Sequence, residues 1–254
     1  MTKRRPYLSV VIPCYNEAKN LQRGVLDEVR GFLQKQKYSY EVIIADDEST
    51  DGSLDFTSQY CRGQPHFRLL KNPHGGKAFA VRAGVQAAKG EIVLFTDMDQ
   101  STPLPEVKKL LPFFKKNYQV VIGSRGQARS GFSLVRQLGS SVFRLLRQIL
   151  LLPGIVDTQC GFKTLESKVA KDLFSRLTIF QKKPGGKGWK VGAFDVELLF
   201  VAQKRHYKIA EVPVTWHDRD AAVASKGKKY FKESKQMLQE ILRVKLNDLQ
   251  GEYR

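Results

Sequence analysis

The run EIVLFTDMDQ, residues 91–100, joins a strand to a chemistry-bearing turn. Its first half is a short apolar stretch with the β-branched enrichment of a strand buried on both faces. Its second half places Asp97 and Asp99 where such a strand must end. Side chains alternate along a strand, so Asp97 and Asp99 are predicted to point one way and Met98 the other. Similar runs recur at residues 8–12 (LSVVI), 41–45 (EVIIA) and 119–124 (QVVIGS), with a weaker one at 66–70 (HFRLL). Helical periodicity fills the gaps at residues 16–35, 53–62, 77–89 and 105–116. Strands alternating with helices and lacking hairpin signals predict an α/β fold: a mostly parallel central sheet flanked by helices. Ligands in such sheets bind beyond the carboxyl ends of the strands.

The second half of the chain is less regular. Residues 132–152 read as a long helix with a broad apolar stripe interrupted by Arg136, Arg144 and Arg147. A loop is expected at 153–161, a helix at 194–205, and an amphipathic, strongly basic segment at 226–249. No repeat or low-complexity tract interrupts the chain, so residues 1–254 are expected to form a single domain.

Composition narrows the classes. There are 43 basic and 25 acidic residues, a net charge of +18, which draws the surface towards polyanions, phosphorylated substrates or anionic lipid. No window approaches about 18 uninterrupted apolar residues, and the first apolar run is too short for a secretory leader. A cytoplasmic location follows as an expectation. Cys14, Cys61 and Cys160 lack metal-ligand spacing and are expected to be reduced thiols.

The strand ends carry the candidate chemistry. The first strand runs into Pro13-Cys14-Tyr15-Asn16-Glu17 rather than a G-x-G-x-x-G turn, which counts against a nicotinamide dehydrogenase. Asp46 and Asp47 end the second and suit hydrogen bonds to a base or ribose; helix capping is the other reading of Asp47. Gly75-Gly76-Lys77 offers backbone N–H groups, a positive helix end and a cation to a phosphate. Asp97 and Asp99 form a hard-oxygen pair suited to Mg²⁺ or Mn²⁺. Arg125 ends the fifth strand, and Arg136 and Ser140, four residues apart, share a helical face; arginine forks match phosphate oxygens. Asp195 and Glu197 diverge by about 200° on a helix, so one of the two faces the site, with Asp195 the better helix cap. His74 and His217 are read as structural or binding residues.

The segments VVIPCYNE, ADDESTDG, NPHGGKAFAVRAG, FTDMDQSTP, VIGSR, DTQCGFK and FDVELL occur in this order from Val10 to Leu199. Together they resemble the family-2 glycosyltransferases of GT-A fold, in their polyprenyl-phosphate branch. The nearest likeness is to dolichyl-phosphate glucosyltransferases, with dolichyl-phosphate mannose synthases a step further away. The resemblance implies a metal-dependent, inverting hexosyltransferase. Its donor half spans about residues 1–125, and its acceptor- and membrane-facing half, with C-terminal amphipathic helices, about 126–254. It implies that Pro13, Tyr15, Glu17, Asp46, Asp47 and Lys77 hold the nucleotide of UDP-glucose, with GDP-mannose the alternative donor. Asp97 and Asp99 match the DxD motif for metal and diphosphate, with Gln100 beside it as a further metal contact. Arg125, Arg136 and Ser140 align with groups that grip the acceptor phosphate, and Arg219 with a further acceptor contact. The resemblance also makes one of Asp195 and Glu197 the expected partner of sugar hydroxyls, with Gln159 and Asp157 further candidates for sugar or acceptor contacts. Asp99, Arg125 and Arg136 are thus the expected catalytic residues.

The expected partners are a polyprenyl-phosphate lipid and a membrane surface, with no nucleic acid. Members of that branch carry membrane helices and none is expected here, so peripheral attachment is expected through residues 132–152 and the basic C-terminal segment. Glu48 stands where the family more often has glycine. A sugar nucleotidyltransferase would need a Gly-rich phosphate loop after the first strand, and a processive synthase a Q-x-x-R-W motif; neither occurs. A nucleic-acid-binding protein would leave the strand-end carboxylates unexplained.

Overall fold

The computed structural model describes residues 5–126, 148–181, 194–221 and 230–253. The expected helix at 132–152 lies outside them except for its last residues, and Arg129, Arg136 and Ser140 lie outside them altogether. Seven strands form one sheet in the order β3-β2-β1-β4-β6-β5-β7. They are β1 (Leu8–Cys14), β2 (Tyr40–Asp46), β3 (Phe67–Lys71), β4 (Ile92–Phe95), β5 (Val120–Ser124), β6 (Lys163–Glu166) and β7 (Ile209–Pro213). Among the described strands only β6 runs against the rest, pairing antiparallel with both β4 and β5.

All five strand runs read from the sequence are present, and β6 and β7 are added. Four residues, KTLE, make β6, with no apolar run to announce it; pairing on both edges makes it a strand. The period-2 pattern of β7 was readable, with Ala210 and Val212 buried and Val214 continuing the series.

The helices are α1 (Ala18–Gln22), α2 (Val25–Leu33), α3 (Ser53–Arg62), α4 (Lys77–Ala87), α5 (Val107–Leu110), α6 (Ser167–Arg176), α7 (Phe194–Lys204) and α8 (Tyr230–Leu249). The helix expected at 16–35 is two, separated by Gly24 at φ +83°. The one expected at 105–116 is a single α turn between 3₁₀ segments, because Pro112 lacks the N–H an α-helix would need.

The sheet separates two apolar layers. Leu8, Val10 and Ile12 pack into one with α2, while Val11 and its in-register neighbours Ile43 and Phe95 pack into the other with α4, α6 and α7. Gly84 of α4 lies so close to β1 that a Cβ there would meet Val11 Cγ1 at 2.2 Å. That approach seats the N-terminus of α4, and so Lys77, at the carboxyl ends of β1 and β4.

Candidate active site

Two adjoining cavities open at those carboxyl ends, and Asp97, Asp99 and Asp220 line both. The larger, about 630 Å³, is bounded by Pro13, Tyr15, Glu17, Asp47, His74 and Lys77 among others. The smaller, about 160 Å³, is bounded by Thr102, Arg125, Gln159, Trp216 and Asp218 besides the shared carboxylates.

The loops after β1 and β2 are laced together. Asn16 N–H donates to Ser49 Oγ, Glu17 N–H to Ser53 Oγ and Ala18 N–H to Asp51 Oδ2. Burial alone would raise the Asp51 carboxyl; bonds from the Ser53 hydroxyl and from the N–H groups of Ala18 and Ser53 hold it below its ordinary value. Tyr15, half exposed, stacks on His74 with ring centroids 4.5 Å apart and planes at 24°.

Asp47 was expected to touch the nucleotide directly. Its oxygens instead accept 2.8 Å bonds from Gly75 and Gly76 N–H, and His74 Nδ1 lies 2.9 Å from Oδ2. The carboxylate therefore shapes the Gly-Gly-Lys turn and fixes the imidazole. Asp46 is buried and borders neither cavity; its Oδ1 accepts from Ser49 N–H, and Oδ2 has no hydrogen-bond partner among the described residues.

The strand ends at Phe95, so Asp97 and Asp99 sit on a turn closed by Gln100 N–H to Asp97 O. The turn, rather than the strand pleat expected, aims both carboxylates at the cavities. Lys77 Nζ is 2.5 Å from Asp97 Oδ1. Burial opposes the Lys77 charge, but Asp97 and Asp195 outweigh it and hold the ammonium protonated. Asp99 Oδ1 accepts from Ser101 N–H at 2.8 Å; burial, then Asp97, raise its carboxyl against that bond. Glu17 is pushed up to about 7, chiefly by burial, with Asp220, Asp99 and Asp97 adding to it against a bond from Asn20.

Among the described residues no group of three or more His, Cys, Asp or Glu is placed to hold a metal. The carboxylates that could hold a metal together with a ligand's phosphates are Asp97 and Asp99. Two hard carboxylates facing one open cavity, with a diphosphate completing the shell, fit Mg²⁺ or Mn²⁺. Gln100, expected beside them, borders neither cavity. It is buried beneath the turn, with Nε2 donating to Asp97 O at 2.8 Å.

Arg125 lines the smaller cavity and is clamped by Asp157, with Nε 2.7 Å and an Nη 2.8 Å from its two oxygens. Burial pushes the Asp157 carboxyl up, but the guanidinium overrides it and holds the acid far below its ordinary value. Gln159 lines the same cavity, and its buried Nε2 has no hydrogen-bond partner among the described residues. Asp195 borders neither cavity and binds Lys163 Nζ at 2.6 Å. Glu197, the other sugar candidate, is fully buried against Thr178, Tyr253 and Arg243. The 3.6-residue turn sends it to the far side of α7.

Arg219 is also placed differently from expectation. Beyond β7, residues 214–221 form a strap tied to the body through its backbone, beginning with Val214 N–H to Ser124 O. Thr215 N–H donates to Glu106, His217 N–H to Ser101 O, Arg219 N–H to Ser101 Oγ and Ala221 N–H to Asn20 Oδ1. Arg23 donates to both Arg219 O and Asp99 O, pinning strap to turn. Arg219 itself points outward into a bidentate pair with Glu28. The even residues Trp216, Asp218 and Asp220 line the cavities, and the sequence reading missed all three. Their alternation in T-W-H-D-R-D was the available signal.

The sheet and its two cavities have the architecture of an α/β protein whose ligand site lies at the carboxyl ends of its parallel strands. The family model for glycosyl transferase family 2 matches residues 9–174. Curated relatives named dolichyl-phosphate beta-glucosyltransferase are 34% identical in Dictyostelium discoideum, over 96% of this chain and 76% of that protein, and 34% in Homo sapiens, over 97% and 77%. One in Saccharomyces cerevisiae is 30% identical over 98% and 77%. Among solved structures, mannosyl-3-phosphoglycerate synthase from Rubrobacter xylanophilus superposes with a TM-score of 0.65 at 18% identity, covering 97% of this chain and 75% of that one. Glucosyl-3-phosphoglycerate synthase from Mycobacterium tuberculosis, in complex with Mn²⁺, UDP and glucosyl-3-phosphoglycerate, gives 0.63 at 20%, covering 94% and 80%. The chain belongs to glycosyl transferase family 2, has the GT-A fold, and is a glycosyltransferase.

Proposed function

We propose that the enzyme transfers glucose, with inversion, from UDP-glucose to a polyprenyl (dolichyl-type) phosphate. The observation that carries this is the cavity in which Lys77, Asp97 and Asp99 converge, a diphosphate site at the mouth of a parallel sheet. The curated relatives' names support the donor sugar and the acceptor class.

The uridine lies towards Pro13, Tyr15 and Glu17, with Asp47 shaping the Gly-Gly-Lys turn. The diphosphate lies towards Lys77 and the carboxylate turn. Mg²⁺ or Mn²⁺, when bound at Asp97 and Asp99, neutralises charge on the leaving diphosphate. Lys77 stabilises the same charge from the end of α4. The acceptor phosphate is already ionised near neutral pH, so the reaction needs no strong general base. One of its oxygens attacks the anomeric carbon as the bond to the UDP β-phosphate oxygen breaks. Arg125, oriented by Asp157, positions that phosphate together with Arg136 and Ser140.

The acceptor implies work at a lipid surface. No helix of the described residues is long and apolar enough to cross a membrane. Leu238, Leu242, Leu246 and Leu249 are exposed along one face of α8, which supports peripheral attachment at the cytoplasmic face.

The test is purified protein with Mg²⁺ or Mn²⁺, a short polyprenyl phosphate and UDP-glucose or GDP-mannose, read as glycolipid by mass spectrometry. Glucosyl lipid from UDP-glucose alone is expected, with Asp99→Ala lowering kcat by about 10²-fold or more. Mannosyl lipid would overturn the donor, and tight UDP binding without any glycolipid would overturn the acceptor.

A further inference from the structure

Two sequence segments whose role the transfer leaves open, CGFK (160–163) and FDVELL (194–199), are joined by one buried ion pair. Lys163 is the first residue of β6 and pairs in register with Phe95, the last residue of β4, beyond which the carboxylate turn begins. Its side chain is fully buried. The ammonium donates to Asp195 Oδ1 at 2.6 Å and to the Cys160 carbonyl, and it lies 5.6 Å from the centre of the Phe95 ring. Lys163 and Asp195 border neither of the two cavities. Taking an ammonium out of water is costly, and apolar side chains of similar volume fill such a space with comparable stability. What the ammonium adds is a fixed backbone.

Residues 157–162 form an irregular loop, so its shape depends on individual ties rather than on a ladder. At one end Asp157 clamps Arg125 and accepts from Gln159 N–H; at the other, Gly123 N–H donates to Phe162 O at 2.8 Å. Between them Lys163 holds the Cys160 carbonyl. A peptide unit is planar, so fixing the Cys160 oxygen also fixes the plane that carries the N and Cα of Gly161. Gly161 borders the smaller cavity and lies so near the carboxylate turn that a Cβ there would collide with Asp97 Oδ2. The other oxygen of Asp97, Oδ1, faces the flexible, half-exposed side chain of Lys77. Gly161 is therefore the rigid wall from which the Asp97 carboxylate takes its direction.

We infer that Lys163 is a positioning residue for the metal carboxylate: through the Cys160–Gly161 peptide it sets the direction of Asp97, with Asp195 as its counterion. This rests on the reading of Asp97 and Asp99 as the carboxylates that hold a metal. The probe is Mn²⁺ in the presence of UDP, followed by loss of the free-ion electron paramagnetic resonance signal, beside UDP calorimetry without metal and thermal melts. Wild type is expected to take up Mn²⁺. Lys163→Met combined with Asp195→Leu replaces the pair by apolar groups and is expected to melt close to wild type. It should bind metal-free UDP within about twofold of wild type yet hold Mn²⁺ at least about tenfold more weakly, with turnover recovered in excess Mn²⁺. Asp195→Asn removes the same negative charge, which also acts on Lys77, but keeps the ammonium on the Cys160 carbonyl. Its Mn²⁺ affinity is expected to stay within about threefold of wild type. A double variant that both melts and binds Mn²⁺ like wild type would reduce the pair to packing and overturn the inference. A loss in Asp195→Asn as large as that expected of the double variant would assign the effect to the charge and overturn it too, and that comparison holds even if the double variant does not fold. If wild type takes up no Mn²⁺ with UDP, the metal reading falls and takes this one with it.

Discussion

Asp157 has no apolar run or recognisable spacing to mark it as pivotal, yet it is the residue on which Arg125 depends. Both guanidinium bonds and the Arg125 N–H end on its carboxylate. Its folded value is held below the ordinary 3.8, so native protein binds fewer protons than unfolded chain as pH falls through that region. The stabilisation is therefore complete above about pH 5 and lost on acidification below it. Thermal melts of wild type should drop steeply there, and those of Asp157→Asn, already lower at neutral pH, should drop less. A parallel fall of the two curves would contradict the assignment. Gly161 is the second such residue, since a Cβ there would come within 2.1 Å of Asp97 Oδ2. The obstructed group is a carboxylate at the end of a side chain, so Gly161→Ala should fold while displacing Asp97. Transfer activity is expected to fall at least about tenfold with the melting temperature nearly unchanged.

At the scale of elements, α8 is attached by polar chemistry as well as by Ile241 and Val244. Arg243 bonds Thr178, Glu197 and Glu240, and Tyr253 donates to the fully buried Glu197. Burial works against the Arg243 charge, but Glu197 and Glu240 raise its pKa. Removing one partner leaves a buried carboxylate uncompensated, which costs about 3–5 kcal/mol in fully buried pairs and less here, where Arg243 keeps some solvent access. Arg243→Ala is therefore expected to lose about 2–4 kcal/mol in urea unfolding, largely recovered in the double variant with Glu197→Gln. Additive losses would mean the pair is not coupled. The same network explains why Glu197 serves α8 and not the cavity: its partners all lie on the side of α7 opposite Asp195.

For the whole molecule, a net charge of +18 and the exposed leucines of α8 point the same way. On the proposed peripheral attachment, charge would bring the enzyme to an anionic surface over roughly a Debye length, and apolar side chains would hold it there. The protein should sediment with phosphatidylcholine vesicles containing phosphatidylserine and remain largely in solution with phosphatidylcholine alone. Raising salt to about 1 M, where the Debye length shrinks to about 3 Å, should release most of it. Leu242→Glu should weaken binding at low salt. Indifference to both salt and this substitution would remove the support for peripheral attachment.

The alternation of β1 to β5 with their helices, and the carboxylates at their ends, could be read directly from the chain. Each is a local pattern: a buried parallel strand writes itself as a continuous apolar run, and the turn beyond it falls where that run stops. Pairs brought together from distant positions were not legible. β6 is a strand because β4 and β5 flank it. Gln100 turns under its own loop, Asp47 is consumed by a turn nearly thirty residues on, and Arg219 faces Glu28 because the strap alternates. Local periodicity thus determined which elements form and where ligands enter. Which carboxylates and aromatics line the site was decided by long-range packing, because a side chain's direction depends on the partners that hold its backbone.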